Sequence, residues 1–334
     1  MTESVHVRID RTHPPTIDLS AVCRGEFAAT VDWLSEHRRA IDAALTEHGA
    51  LYFAHAGIRD RADFAALRDI LFDRLAAYRE KATPRTDFGA DVFSSTDLPP
   101  AQEIRQHNEN SYTLVFPGKL LFGCLTAPES GGATTVADVR SVLTALPIPI
   151  VDRMAEAGWR LTRNYHELVG LPWRTAFGTE RRSDVEDYCT ANAVDCSWTH
   201  DSLHTEQVRP GIIRHPCTDQ PVWFNHASFW SEWALEPEIR EVLVTEFGRS
   251  GLPFATSYGD GADLIEAEVA DINTAYDRAT RRRPWARGDL LLVDNLLSSH
   301  GRDPFVGARD IVVAMGEPVA LADCAPLGPT VVTR

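Results

Sequence analysis

Apolar residues recur at helical spacing through residues 30–48, and Gly49 then supplies a stop before the short apolar run Ala50-Leu51-Tyr52-Phe53. A second amphipathic period predicts a helix from Arg61 to Tyr78. Beyond it the rhythm changes to two. Apolar or alternating runs at Lys119–Leu125, Thr134–Ala137, Pro210–Ile213, Pro221–Phe224, Asp289–Val293 and Asp310–Met315 predict strands separated by turns. Helical spacing returns from Val139 to Trp159 and from Glu236 to Phe247.

Strands thus dominate the early and late parts, while the middle is mixed. No linker divides the chain and no internal repeat breaks it, so residues 1–334 are expected to form a single domain. The pattern predicts a β-rich α+β protein whose sheets are completed by segments distant in sequence. An antiparallel jelly roll with flanking helices accommodates it best, although patterning leaves other α+β folds open.

Composition narrows the function. With 334 residues, 44% hydrophobic and 24% charged, the chain can bury a large core. The polar start Met1-Thr2-Glu3-Ser4 carries no apolar leader, and no run approaches membrane-spanning length, so the expectation is a cytoplasmic protein with no membrane partner. Six scattered cysteines without a C-x-x-C pair read as reduced thiols. A formal net charge of −15 repels phosphate backbones and argues against nucleic acid. Against that background Arg181-Arg182 and Arg281-Arg282-Arg283 are local basic runs, read first as solvated faces and second as a docking patch for an acidic partner.

The chemistry concentrates in His107-Asn108-Glu109 and, far downstream, in His300 with Arg309 nine positions later. On a strand, residues two apart share a side, so His107 and Glu109 can grip one ion while Asn108 faces away. His300 completes two imidazoles and one carboxylate, the set that leaves half of an octahedral iron open in non-haem Fe(II) oxygenases. Arg309 opens the run Arg309–Ala314, and an arginine on an inward face needs an anion. A surface ion pair for His107 and Glu109, and a structural histidine at position 300, are the plainer alternatives.

Several further motifs occur in fixed order: His107-Asn108-Glu109-Asn110-Ser111-Tyr112, Gly131-Gly132-Ala133-Thr134-Thr135, Trp223-Phe224-Asn225, Gly288–Asn295 and His300-Gly301-Arg302. From about Thr83 to Pro318 the chain resembles the TauD/TfdA superfamily of Fe(II)/2-oxoglutarate dioxygenases. Glu109, in place of aspartate, makes it more similar to clavaminate synthase-like members, and most similar to syringomycin-type β-hydroxylases acting on carrier-bound aminoacyl groups.

The resemblance implies a double-stranded β-helix of the cupin type, with a lid insertion around residues 163–205. It implies Fe(II) on His107, Glu109 and His300, with 2-oxoglutarate as cosubstrate and O2 as oxidant. The distal carboxylate of 2-oxoglutarate would lie against Arg309, whose planar guanidinium can hold both oxygens, and against Thr134, with neighbouring Thr135 as the alternative in register. Asn225 and Arg302 are candidate substrate-binding residues; Arg302 also competes with Arg309, and His215 and His226 are expected to be uncoordinated core or pocket residues. Retention of Glu109 favours hydroxylation over halogenation and leaves desaturation and epoxidation open. The implied substrate is an amino acid or its derivative, free or tethered to a carrier protein. A cupin-like metal-binding protein without turnover, and a zinc hydrolase, remain as readings from other classes.

Overall fold

The computed structural model describes residues 5–24, 26–77, 80–167, 169–329 and 331. Two sheets dominate. The larger has six strands in the order Thr16–Asp18, Ala50–Ala54, Leu290–Asp294, Val115–Thr126, Asp310–Ala320 and Phe93–Ser94, antiparallel except for the first pair. The smaller is antiparallel, in the order Thr280–Arg281, Thr134–Asp138, Ser298–Arg302 and Ile104–His107.

The run Leu290-Leu291-Leu292-Val293 is continuously apolar because both faces of the larger sheet are covered. On one face, Leu290, Leu292, Leu121 and Val312 pack against Leu34, Ile41 and Leu45 of the Phe27–His48 helix and Phe64 and Leu67 of the Arg61–Leu71 helix. On the other, Leu291, Val293, Leu120, Phe122, Ile311 and Val313 form an inner core with Val136 of the smaller sheet. This is the expected β-rich jelly-roll layering, with helices outside and the two sheets closing on a core.

The helix expected to stop at Gly49 does so: Gly49 has φ 75° and its N–H donates to Leu45 O at 2.7 Å. The helix expected to run from Arg61 to Tyr78 is shorter. It ends at Leu71, and Tyr78 lies outside the described residues. The chain leaves the helix because sheet-edge bonds compete for it: Ala76 N donates to Met315 O and Glu317 N to Arg74 O. The helical stretch expected over 139–159 is two helices, Val139–Ala145 and Ile148–Ala157, separated at Pro147, and Trp159 already starts a strand.

The middle of the chain holds a third sheet, in the order Phe254–Tyr258, Trp159–Tyr165, Ser202–Arg209 and Asp195–Thr199. Within the stretch expected to be a lid, the helices Trp173–Phe177 and Arg182–Ala191 lie between two of its strands. The Glu266–Ala279 helix, absent from the sequence reading, buries Val269, Ile272, Ala275 and Tyr276 at helical spacing. Among the described residues no helix is long and apolar enough to cross a membrane.

Candidate active site

His107 ends one strand of the smaller sheet and His300 lies in the next, directly opposite it in register. Cross-strand partners bring their side chains together, and the two imidazole centroids are 4.3 Å apart. Glu109 differs from expectation. The strand ends at His107, and Glu109 sits in the following turn, so alternation along a strand does not place it.

Asn295 places it instead. Its Oδ1 accepts from Glu109 N at 2.7 Å, and its Nδ2 donates to Glu109 O at 2.9 Å and Pro117 O at 2.7 Å. Asn108 answers by donating to Asn295 O at 2.6 Å. This reciprocal amide clamp ties the turn carrying Glu109 to the turn that leads into His300. Next to His300, Gly301 is required by close approach, since a Cβ there would stand 2.5 Å from Ile104 O.

One candidate donor atom from each of His107, Glu109 and His300 lies within 4.8 Å of the others, and all three residues are buried. Glu109 Oε2 is 3.5 Å from His300 Nε2. Arg105 O is 2.9 Å from His107 Nδ1; a carbonyl only accepts, so Nδ1 carries the proton and Nε2 presents a lone pair. Phe229 packs on His107 and Phe122 on His300. Two imidazoles and a carboxylate converging in this way fit a divalent transition metal on one face.

Burial pushes His107 down to about 3, helped by the like charge of His300. Burial alone would raise the Glu109 carboxyl, but Arg85, His300 and His107 outweigh it and hold the group below the usual carboxylate range. His226 is also depressed by burial, with His107 contributing. An unfolded histidine titrates near 6.5, so on acidification the unfolded chain gains protons that the native one refuses. Stability is therefore fully present above about 6.5 and lost as pH falls from there toward 3. Chelator-treated protein is expected to melt lower at pH 5 than at pH 7 by differential scanning calorimetry. A flat profile across that window would contradict the neutral, buried imidazoles.

Beyond the three candidate ligands, Arg309 lines one cavity with His107, His300, Ser95, Phe122 and Thr134. Its Nε donates to Gly132 O at 2.9 Å, Nη1 to Ser95 Oγ at 2.8 Å and Nη2 to Thr134 Oγ1 at 3.3 Å. Among the described residues no acid pairs with it, and burial, then the like charge of Arg302, pushes it down to about 10. Gly132, at φ 68°, admits it: a Cβ there would press Arg309 Cδ at 3.2 Å. Of the two threonines left open by the sequence, Thr134 faces Arg309, while Thr135 accepts from Gln106 Nε2 at 2.7 Å. Trp285 Nε1 also donates to Thr134 Oγ1 at 3.2 Å.

Other candidates are placed differently. Arg302 borders the cavity, but its terminal nitrogens donate to the carbonyls of Thr96, Leu98, Pro99 and Gln102 at 2.8–3.3 Å. That engagement favours a brace for the 96–102 loop over a substrate contact. Asn225 does not line the cavity; it bonds Gly211 O and Ala227 N at 3.0 Å each, shaping the turn into His226. His226 meets Ser111 Oγ at 2.6 Å and His215 meets Asp294 at 3.2 Å, each as a buried structural histidine. Sequence reasoning missed Arg85, Ser95 and Asn295. Only Asn295 had a visible signal, its place at the end of the Gly288–Asn295 motif. A cavity of about 580 Å3 lies beside Asn110 and holds none of the three candidate ligands, so size does not mark the site here.

A jelly roll presenting two histidines and a glutamate beside an arginine with no acidic partner among the described residues has the make-up of a non-haem iron oxygenase site. The model of the taurine catabolism dioxygenase TauD, TfdA family matches residues 11–315, and the chain belongs to that family of 2-oxoglutarate-dependent dioxygenases, using Fe(II), 2-oxoglutarate and O2. It is 36% identical over 320 residues to the dapdiamide synthesis protein DdaC of Enterobacter agglomerans, covering 96% of each chain. A clavaminate synthase-like protein of Arabidopsis thaliana is 27% identical over 317 residues, covering 90% of this chain and 91% of the relative. The fold is shared with AAD-2, solved with Mn(II) and N-oxalylglycine, at a TM-score of 0.52 and 15% identity, covering 97% of this chain and all of that one.

Proposed function

We propose that this dioxygenase hydroxylates an unactivated C–H bond of an amino acid or amino-acid derivative in natural-product biosynthesis. His107, Glu109 and His300 hold the iron, and Arg309 with Thr134 takes the distal carboxylate of 2-oxoglutarate. The observation that carries this is the placement of a partly buried guanidinium, without an acidic partner among the described residues, in one cavity with two of the iron ligands. A metal-storage protein has no need of such a cation, since it costs desolvation that only an anion repays. Relationship to a dapdiamide synthesis protein supports a biosynthetic setting.

When bound, Fe(II) supplies the coupled oxidation of 2-oxoglutarate to succinate and CO2 and of a substrate C–H to C–OH by one O2. The protein's own part is placement. The Asn295 clamp fixes Glu109, the Arg105 carbonyl fixes the His107 tautomer, and Phe122 and Phe229 pack on the two imidazoles. Desaturation or epoxidation would use the same placement.

The substrate is either free or tethered to a carrier protein. The basic runs give little support to docking of an acidic carrier. Arg181 pairs with Asp184 and Arg182 with Asp201 at 2.9 Å each, Arg282 pairs with Asp303 at 3.3 Å, and Arg283 lies over the Tyr52 ring. Anaerobic addition of Fe(II) and 2-oxoglutarate should produce a visible charge-transfer band. A succinate-release screen of free amino acids against the same residues loaded on carrier domains then identifies the substrate form. No band with the wild-type protein would defeat the oxygenase reading.

A further inference from the structure

The wall of the cavity that contains His107 and His300 carries three arginines, Arg85, Arg302 and Arg309, and no acid among the described lining residues. Arg302 is committed to four backbone carbonyls, and Arg309 is matched to the cosubstrate. Arg85 has neither assignment. It comes from a loop, its side chain is 4% exposed, and its Nη2 donates to Glu109 Oε2 at 2.7 Å. Its present anion is thus a carboxylate needed by the metal.

Loading the site would put that arrangement under strain. A ferrous ion on Glu109 draws on the charge that Arg85 now shares, and like charges at close range repel. 2-Oxoglutarate brings two carboxylates, one for Arg309 and one for the metal. The cavity leaves about 20 Å3 of free space, room for one water and too little for a five-carbon diacid. Side chains must therefore withdraw, and Arg85, on a loop and with a flexible stem, can turn without moving a strand. A guanidinium leaving one carboxylate in a poorly hydrated cavity requires another.

Resting on the oxygenase reading above, we propose that Arg85 is the substrate anchor. On loading it exchanges Glu109 for a carboxylate carried by the substrate and so fixes which C–H bond faces the iron. The carboxylate is either the α-carboxylate of a free amino acid or the side-chain carboxylate of a tethered acidic residue, chemically the same group for a guanidinium.

The test uses anaerobic protein loaded with Fe(II) and 2-oxoglutarate, as wild type, Arg85→Gln and Arg85→Lys. Calorimetry and the charge-transfer band report binding of three probe sets: the proteinogenic L-amino acids, their α-amides, and pantetheine thioesters of aspartate and glutamate. Wild type is expected to bind at least one carboxylate-bearing probe at least about tenfold more tightly than its carboxylate-free counterpart. Arg85→Gln, first shown by the charge-transfer band to be saturated with Fe(II) and 2-oxoglutarate, is expected to erase that preference, with Arg85→Lys in between. Preference among free amino acids marks the α-carboxylate as the source, and preference among thioesters marks the side chain.

The proposal is overturned if no carboxylate-bearing probe is preferred by wild type. It is equally overturned if the saturated Arg85→Gln variant keeps the preference, the signature of a group that merely orients Glu109 or the cosubstrate. Absence of the band in wild type would take down the oxygenase reading itself, a result distinct from both.

Discussion

Replacing His300 by alanine is expected to abolish iron-dependent turnover. His300 is the cross-strand partner of His107, and its Nε2 stands 3.5 Å from Glu109 Oε2, so its removal leaves two of three donors on one side of the ion. Loss of a group that only orients a ligand lowers metal affinity about 10–100-fold, and loss of the ligand itself should exceed that range. The fold should survive, because the strand pairing of Ser298–Arg302 uses backbone groups. Truncating a buried ring should cost about 1–3 kcal/mol. Fe(II) titration of the folded variant, verified by circular dichroism, is the measurement. Wild-type affinity in His300→Ala would remove this residue from the metal site.

The second large effect is expected at Arg309. Its guanidinium gathers Gly132 O, Ser95 Oγ and Thr134 Oγ1 around it and still has no acidic partner among the described residues. Truncating one member of a buried, charge-assisted pair costs about 2–5 kcal/mol, so Arg309→Ala should raise the KM for 2-oxoglutarate by about thirtyfold or more. Arg309→Lys should recover only part, since an ammonium is a point charge without the planar fork. Fe(II) affinity should hold. In the absence of 2-oxoglutarate the melting temperature should move by no more than about 4 °C, because the variant also relieves a desolvated cation. An unchanged KM would break the assignment of the cosubstrate end of the cavity.

Much of this site was legible because its donors are chemically distinctive. His107, Glu109 and His300 are the types that ligate a transition metal, and their order matched a known family. Arg309 announced itself as a charge at the mouth of an apolar run. The threonine pair was ambiguous for a plain reason: adjacent strand residues face opposite sides, and register decides which is inside. In the fold Thr134 Oγ1 faces Arg309, and Thr135 Oγ1 faces Gln106. Arg302 and Asn225 were sensible candidates whose polar atoms are taken by backbone carbonyls and an amide, a use that side-chain chemistry alone does not announce.

Local pattern likewise indicated the helix over residues 30–48 and four strands of the larger sheet, where burial and spacing agree, and missed its short strands Thr16–Asp18 and Phe93–Ser94. It failed where long-range bonds override local preference. The Arg61–Leu71 helix stops early because residues 74 and 76 find partners at positions 317 and 315. In the same way Glu109 is oriented by Asn295, which lies 186 residues away.

The amino-acid sequence alone therefore determined the donor types, the helix and strand periods and the family resemblance, since each depends on identity or short-range spacing. Which oxygen faces which cation was decided by tertiary structure. Strand register and the Asn108–Asn295 clamp bring distant side chains to within hydrogen-bond reach, and the fold sets Arg85 against the Glu109 carboxylate, a proximity no one-dimensional pattern encodes.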